Sequence, residues 1–371
     1  MNSQDIFCPN VDCPARGQIG KGNIGVHSRS EKRYICHACR KTFSATRGTI
    51  FYRLRTDDRE VQRVVTLLAY GCPPKAIEEA FGFHERTVKS WWRRSGEHCR
   101  LVHEHAIGGS SMDLQQVQSD EIKVKTQGNK FWMALAMMVP TRLWLGGAIS
   151  PKRDLKLIQA LANQIRQIAL CRNLLLAVDG LASYVKAFRR AFRTPMPRKT
   201  AGRPRLISWP NIAIVQVVKQ RSAGKLSIQR RIVQGCEKMI AALLKKTQGG
   251  GVINTAYIER LNATFRQRLA WLARRTRHLA QQGETLLAGM FTVGCFYNFC
   301  DNHHSLRIKL WVGRRGYRWV QRTPAMAAGL ADHRWSVEEL FYFKVPPPRW
   351  KPPRQRGRKS QAMLEAIQKW C

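Results

Sequence analysis

The chain has 371 residues, 44% of them hydrophobic, and carries 64 Lys and Arg against 24 Asp and Glu, for a formal net charge of +40. That length supports two or three globular domains with a real core, and the charge far exceeds what solubility requires. A polyanion is the partner such a surface selects, because each neutralised phosphate releases condensed counterions; a ribosomal-type or membrane-surface protein is the alternative that composition alone leaves open. The first ten residues lack a basic and then apolar leader, and the most apolar run, Phe131 to Val139, ends at Pro140 and is too short to span a bilayer. The eleven cysteines form no evenly spaced secreted framework and are expected to be reduced. The expectation is therefore a cytoplasmic, bacterial nucleoid-associated protein with no membrane partner.

In chain order, residues 1–56 are rich in Gly, Cys and basic side chains. Cys8 and Cys13, then Cys36 and Cys39, are spaced C-x4-C and C-x2-C across a gap of 22 residues. Two close pairs on tight turns bring four thiolates into the tetrahedral geometry of structural Zn2+, so a zinc-ribbon-like module is predicted. His37 lies between the second pair and can replace one ligand. Residues 57–106 read as all-α. Val61, Val64, Val65 and Leu68 recur at helical spacing, and the break "GCPP" leads into "PPKAIEEAFGFHERTVKSWWRR". Pro73 and Pro74 suit a helix start, Gly82 a turn, and a second helix is predicted from about Glu85 to Ser95. Ile77, Phe81, Val88 and one of Trp91 or Trp92 then form the interior of a helix-turn-helix. Arg86, Thr87, Lys89, Ser90, Arg93 and Arg94 face outward as DNA contacts. A plain helical bundle has the same apolar spacing, so it stays as the alternative.

Residues 110–300 change character. Strands are predicted over 114–125, 130–139 and 143–149, with a turn at Gly128-Asn129; a helix over 154–170, a buried strand over 174–178, a helix over 181–192, a strand over 212–218 and a helix from near Asn254 follow. A three-strand meander followed by strands alternating with helices is an α/β layer fold with a mixed sheet and flanking helices. Only eight acids fall between Ala106 and Cys300. Asp120 sits inside the first of these strands, Asp179 directly follows the buried strand, and Glu259 lies in the first turns of the last helix. Three such oxygens converging at one end of a sheet suit a hard cation, Mg2+ or Mn2+. Neighbouring strand residues point to opposite faces, so only one of Asp120 and Glu121 is expected to join Asp179. Ordinary readings exist for each: Asp179-Gly180 as a turn, Asp120 as an edge charge, Glu259 as a surface partner of arginine. A basic insertion around 194–210 contains Gly202-Arg203-Pro204, which reads as a charged loop before it reads as a minor-groove hook. "CFYNFCDNHH" reads as a buried helix end. Residues 301–371 form a C-terminal extension whose Pro-rich, cationic tail is expected to be mobile.

In detail, "SDEIKV", "LLLAVDGLASYVKAF" and "INTAYIERLNATFRQRL" resemble the three catalytic blocks of the insertion-sequence-one (IS-one) family of DDE transposases, which also carry a cysteine zinc module and a helix-turn-helix ahead of the catalytic domain. The resemblance covers roughly residues 8 to 340. It implies an RNase H-like domain in which Asp120, Asp179 and Glu259 hold the catalytic metal. Arg266, seven residues after Glu259, matches a basic position common in such enzymes. With Arg260 and Arg268 it would hold phosphate. The implied partners are double-stranded DNA, both element terminal repeats and target, with a homo-oligomer assembled on it. Two other classes remain open at this point: a non-catalytic DNA-binding regulator, and an RNase H-like nuclease or resolvase that cuts without joining.

Overall fold

The computed structural model describes residues 6–126, 130–197, 202–222, 225–274, 283–313, 316–351, 357 and 359–370. The chain divides into two compact units, one of Met1–Arg47 with Val345–Cys371 and one of Gly48–Lys344. The cysteine-rich segment forms most of the first. Strands β1 (Ile24–Ser28), β2 (Arg33–Cys36) and β3 (Thr42–Ser44) make a three-stranded antiparallel sheet. Its small core is Cys8, Cys13, Ala15, Ile24, Tyr34, Cys36 and Phe43, so three of the seven core side chains are thiols rather than hydrocarbon. The chain's last stretch returns to this unit: a Cβ on Gly17, which has φ +66°, would overlap the Pro347 carbonyl. Part of the cationic tail, residues 352–356 and 358, lies outside the described residues, and beyond it Gln361–Trp370 is a helix with every side chain exposed.

In the second unit α1 (Asp58–Ala69), α2 (Pro74–Phe81) and α3 (Glu85–His103) come first. Pro74 opens α2 and Gly82, at φ +71°, closes it in the left-handed conformation that frees the chain to turn. His84 then caps α3 through its ring nitrogen. The meander is β4 (Gln116–Lys125), β5 (Lys130–Met138) and β6 (Leu143–Ser150); its predicted Gly128-Asn129 turn lies outside the described residues. There follow α4 (Leu155–Ile168), β7 (Leu174–Asp179) and α5 (Ala182–Ala191). A short ribbon of β8 (Arg193–Pro195) and β9 (Leu206–Ser208) brackets the basic insertion. Its residues 198–201 lie outside the described residues. Then come β10 (Ile212–Ser222), β11 (Lys225–Gln234), α6 (Glu237–Gln248), α7 (Ala256–Arg268) and α8 (Gly283–Cys295).

These strands form one six-stranded mixed sheet in the order β11-β10-β7-β4-β5-β6. β4, β5 and β6 run antiparallel, β7 pairs parallel with both β4 and β10, and β11 returns antiparallel along β10. The central strands are hydrophobic on both sides: Leu174 to Val178 are all buried, as a parallel strand under helices must be. Residues of β4 alternate between the two covering layers. Gln116 accepts a hydrogen bond from Thr247 of α6 and Gln118 contacts the start of α7, whereas Glu121 meets Tyr184 of α5.

Two elements run further than predicted. β10 continues past Val218 to pair with β11, a strand that the sequence pattern does not predict. α3 continues past Ser95 to His103, because its second half packs along α8: a Cβ on Gly96 would overlap Ala288, and the Ser95 and Thr292 hydroxyls hydrogen-bond at 3.0 Å. Both Trp91 and Trp92 are buried, where one was expected. Cys295 continues into a wider helical turn, Phe296–Cys300, with every residue buried. Among the described residues no helix is long and apolar enough to cross a membrane.

α3 ends on a buried titratable group. The His103 ring lies 4.5 Å from that of Trp144 and 5.5 Å from that of Phe291, and burial holds its pKa down at about 4. Burial pushes His98 in the same direction. A histidine depressed in the folded state binds fewer protons than in the unfolded chain, so its neutral form is fully accommodated above the unfolded value near 6.5 and stability is lost as pH falls toward 4. The cost attributable to His103 at the bottom of that window is on the order of 3 kcal/mol. Denaturant melts between pH 7 and 4 should show this fall, and His103→Gln should flatten it; a parallel fall in the variant would remove His103 as its source.

Candidate functional site

Among the described residues two groups of metal-capable side chains converge. The first is Cys8, Cys13, Cys36 and Cys39, whose sulfurs all lie within 4.8 Å of one another. Cys8 and Cys39 are 3.7 Å apart and Cys13 and Cys36 3.8 Å; the edge of a tetrahedron with Zn–S bonds of 2.3 Å is about 3.8 Å. The second pair sits on a tight turn, with the Arg40 amide donating to the Cys36 carbonyl at 2.7 Å and Arg40 at φ +57°. Asn23 donates to the Cys36 sulfur at 3.1 Å. Burial pushes the Cys8 and Cys13 thiols up, whereas hydrogen bonds from Lys41 and Asn10 overcome burial at Cys39 and bring it down to about 7. The four cysteines can hold a zinc ion. His37 is not among them: it is exposed, with its ring over Gly25.

The second group is Asp120, Glu121 and Asp179, with carboxylate oxygens within 4.8 Å of one another. The strands explain it. Ser119 pairs with Val178 across the parallel β4–β7 ladder, so Asp120 and Asp179 come next on adjoining strands. The expectation that Asp120 and Glu121 exclude each other from Asp179 is corrected by this geometry. Asp179 is the last residue of β7, and its carboxylate projects past the pleat, accepting from the Leu181 amide at 3.0 Å on one oxygen and from Arg153 at 3.0 Å on the other. Arg153 also binds Glu121, to which Tyr184 donates at 2.8 Å. Glu121 is thus held on the α5 side and Asp120 on the α7 side of the same strand end.

Helix α7 is seated by β4 itself. Gln118, fully buried two residues before Asp120, accepts from the Tyr257 and Ile258 amides, both at 3.0 Å, and donates to the Asn254 carbonyl at 2.8 Å. The open amides at the start of α7 are satisfied by this side chain, which fixes the helix in register with the strand. Glu259, Asn262 and Arg266 then follow at helical spacing. Asn262 donates to Asp120 at 2.7 Å, and its own amide oxygen is buried without a hydrogen-bond donor. Glu259 is outside the close cluster of acids. It binds Lys219 of β10 and accepts from Thr255 at 2.6 Å, and against the upward pull of burial these contacts hold its pKa below the usual range.

Burial raises Asp120 to about 6, with further upward pushes from Glu121, Asp179 and Glu259. Burial and then Asp179 raise Glu121 as well. Burial, more than the attraction of Asp120 and Glu259 can offset, pulls the Arg266 guanidinium below its usual range. Arg153 and Lys219 each neutralise an acid at the edges of the site. Sequence reasoning missed Arg153, Lys219, Tyr184, Gln118 and Asn262. The "SDE" pair was a signal for Glu121; the others carry none without the fold.

The predicted DNA contacts divide. Arg86, Thr87, Lys89, Ser90 and Arg93 are exposed on α3, with Lys89 paired to Glu85 at 2.9 Å. Arg94 turns inward instead, its guanidinium donating to the Ile50 and Tyr52 carbonyls. Those carbonyls end a segment with no strand partner, and α3 supplies the donor. Arg260 is exposed and Arg266 half-buried. Arg268 does not face solvent: it pairs with Asp301 at 2.8 Å and stacks 4.6 Å from the Tyr70 ring centre, so its charge is committed inside the unit. A cavity of about 520 Å³ opens at the other ends of β4, β7 and β10, beside Gln115, Asn173 and Asn211. Its one carboxylate, Asp113, is 3.7 Å from Arg172, and it has no part in the acidic cluster. No protein-family model matches the chain, and a search of curated proteins gives no match.

Proposed function

We propose that this chain is a DDE-type DNA transposase, of the IS-one family or a close relative, that binds the ends of a mobile element and catalyses their cleavage and strand transfer. The observation that carries the reading is the placement of Asp120 and Asp179 on adjoining parallel strands, with α7 locked above them by Gln118 so that Glu259, Asn262 and Arg266 face the same strand end. The strand order β6-β5-β4-β7-β10, a three-strand antiparallel meander followed by two strands parallel to its first, with β11 added at the edge, supports the RNase H-like reading. The unpartnered Asn262 oxygen and the raised Asp120 suit a bound cation.

Asp120 and Asp179, with Glu259 and the neighbouring Glu121, would hold Mg2+ or Mn2+. Such ions, when bound, polarise a phosphodiester, promote deprotonation of the attacking oxygen and neutralise the leaving one. The protein's own part is positional. Asn262 fixes the Asp120 carboxylate through one oxygen, Leu181 fixes one oxygen of Asp179, and Arg266 and Arg260 supply positive charge for the DNA backbone beside the acids. Arg153 pairs with Glu121 and Asp179, and Lys219 with Glu259, at the outer edge of the site. Double-stranded DNA is the partner, with the exposed face of α3 reading the element end and a second copy assembling on it.

The test is a strand-transfer assay with duplexes of the element's own ends and a supercoiled target. Cleavage with joining supports a transposase, cleavage alone a nuclease or resolvase, and binding without either a regulator. A separate expectation concerns α3. Arg86→Ala or Arg93→Ala should weaken binding to the element end by about 1–3 kcal/mol if the side chain reads a base, with relaxed specificity at one position, or weaken all sequences alike if it contacts phosphate. Competition binding with single-base variants distinguishes these outcomes, and unchanged affinity for every sequence would remove α3 from the interface.

A further inference from the structure

Beyond α8 and its buried end, the second unit projects a two-stranded hairpin, β12 (Ile308–Trp311) and β13 (Tyr317–Val320). Lys309 pairs with Trp319 and Trp311 with Tyr317, and opposed residues share a face of the ribbon, so Lys309, Trp311, Tyr317 and Trp319 lie on one side. The rings form a chain: Trp311 and Tyr317 have centroids 5.8 Å apart and Tyr317 and Trp319 5.9 Å, each pair edge to face. Cations lie over them. The Lys309 ammonium is 3.7 Å from the Tyr317 centroid, and the Arg307 guanidinium 4.1 Å from that of Trp319. The rings remain open to solvent, with Trp311 74%, Tyr317 47% and Trp319 44% exposed.

An isolated two-stranded hairpin gains little stability from rings that cover no core. Three large aromatics kept at the surface point to a ligand, and the charge says which. From His303 to Thr323 the chain has six Lys and Arg and no Asp or Glu. A second copy of the same hairpin would meet this charge with its own, whereas a polyanion with flat aromatic groups matches both features. Bases in a duplex have their faces covered by their neighbours; unpaired bases do not, and they stack on aromatic side chains irrespective of sequence. We propose that the β12–β13 hairpin is a stacking platform for unpaired bases of DNA.

The hairpin's foot is closed by the His303 amide on the Arg322 carbonyl at 2.9 Å and by Arg322 on the Leu306 carbonyl at 2.8 Å. Burial, then the neighbouring Arg142 and Arg260, holds His303 at about 4, and Arg260 follows Glu259 on α7. The choice of DNA rests on the transposase reading, in which unpaired bases arise where strands are cut and joined.

The test uses the full-length protein and two labelled probes at one salt concentration, a 20-nucleotide oligo(dT) and a blunt duplex of equal length. Trp319→Ala and Trp311→Ala should each bind the single strand about tenfold more weakly, by loss of one stacked ring, and the duplex less than twofold more weakly. Trp319→Phe should recover most of the loss. Because the rings are outside the core, thermal melts of the variants should match the parent's. Unchanged affinity for oligo(dT), an equal loss on both probes, or failure of the parent protein to bind oligo(dT) overturns the proposal; so does a change of oligomeric state in the variants, which makes the hairpin a contact between copies. These results are independent of cleavage. An Asp120→Asn variant that cuts normally would sink the transposase reading and leave the stacking measurements standing.

Discussion

Replacing Glu259 by Gln is expected to lower Mg2+-dependent cleavage of an element-end duplex by about a hundredfold or more, the effect of losing several kcal/mol of metal-borne charge stabilisation, while binding of the same duplex persists. Gln preserves the size and helix propensity of the side chain. It cannot neutralise a divalent cation. The stability of the protein should hardly move, because the ion pair that the substitution breaks, with Lys219, joins side chains that are both nearly half exposed, and such pairs contribute under about 1 kcal/mol. Asp120→Asn should give a comparable loss of cleavage for the same reason, since Asn262 would keep its partner while the anionic ligand disappears. If Glu259→Gln cuts at close to the parental rate, Glu259 is a surface partner of Lys219 and nothing more.

The second large effect is expected in the cysteine module. Cys36→Ser should abolish stoichiometric zinc in the full-length protein and unfold residues 6–47, since structural zinc sites of this kind contribute on the order of 10 kcal/mol to folding and the module's core is small and nearly half thiol. Metal analysis together with limited proteolysis reads both outcomes. The cleavage sites should fall in the first unit and leave Gly48–Lys344 intact. Retention of zinc with an undisturbed digestion pattern would show that the four sulfurs are close for another reason.

Much of the sheet was legible because its central strands are buried on both faces: Leu174–Val178 and Met133–Met138 are continuous apolar runs whose ends are marked by Asp179-Gly180 and Val139-Pro140. β11 was not, because none of its described side chains is buried, Ile228 and Ile232 included, and its Lys, Gln and Arg residues read as a charged loop. The second half of α3 was hidden for a related reason. "SGEHCRLVH" has weak apolar spacing, and it is helical because Gly96 and Ser95 let α8 approach. At the candidate site Asp120, Asp179 and Glu259 stood out by scarcity in a basic chain. Arg153 and Lys219 could not, being two cations among 64. The inward turn of Arg94 and Arg268 was equally invisible, since a sequence shows charge but not the carbonyl or carboxylate that takes it.

α3 is a single helix from Glu85 to His103. Its first half offers the exposed arginines, and its second half is clamped to α8 by the Ser95–Thr292 hydrogen bond. In the transposase reading this makes it a ruler. Nineteen residues at 1.5 Å each span about 28 Å, the length of roughly eight base pairs at 3.4 Å per step. With no hinge between the reading end and the clamp, the number of base pairs from recognised sequence to scissile bond is set by the length of a rod. One extra residue between Arg93 and Ser95 would advance the reading end by about 1.5 Å and swing it by about 100°, so the site would be lost by rotation before it was lost by distance.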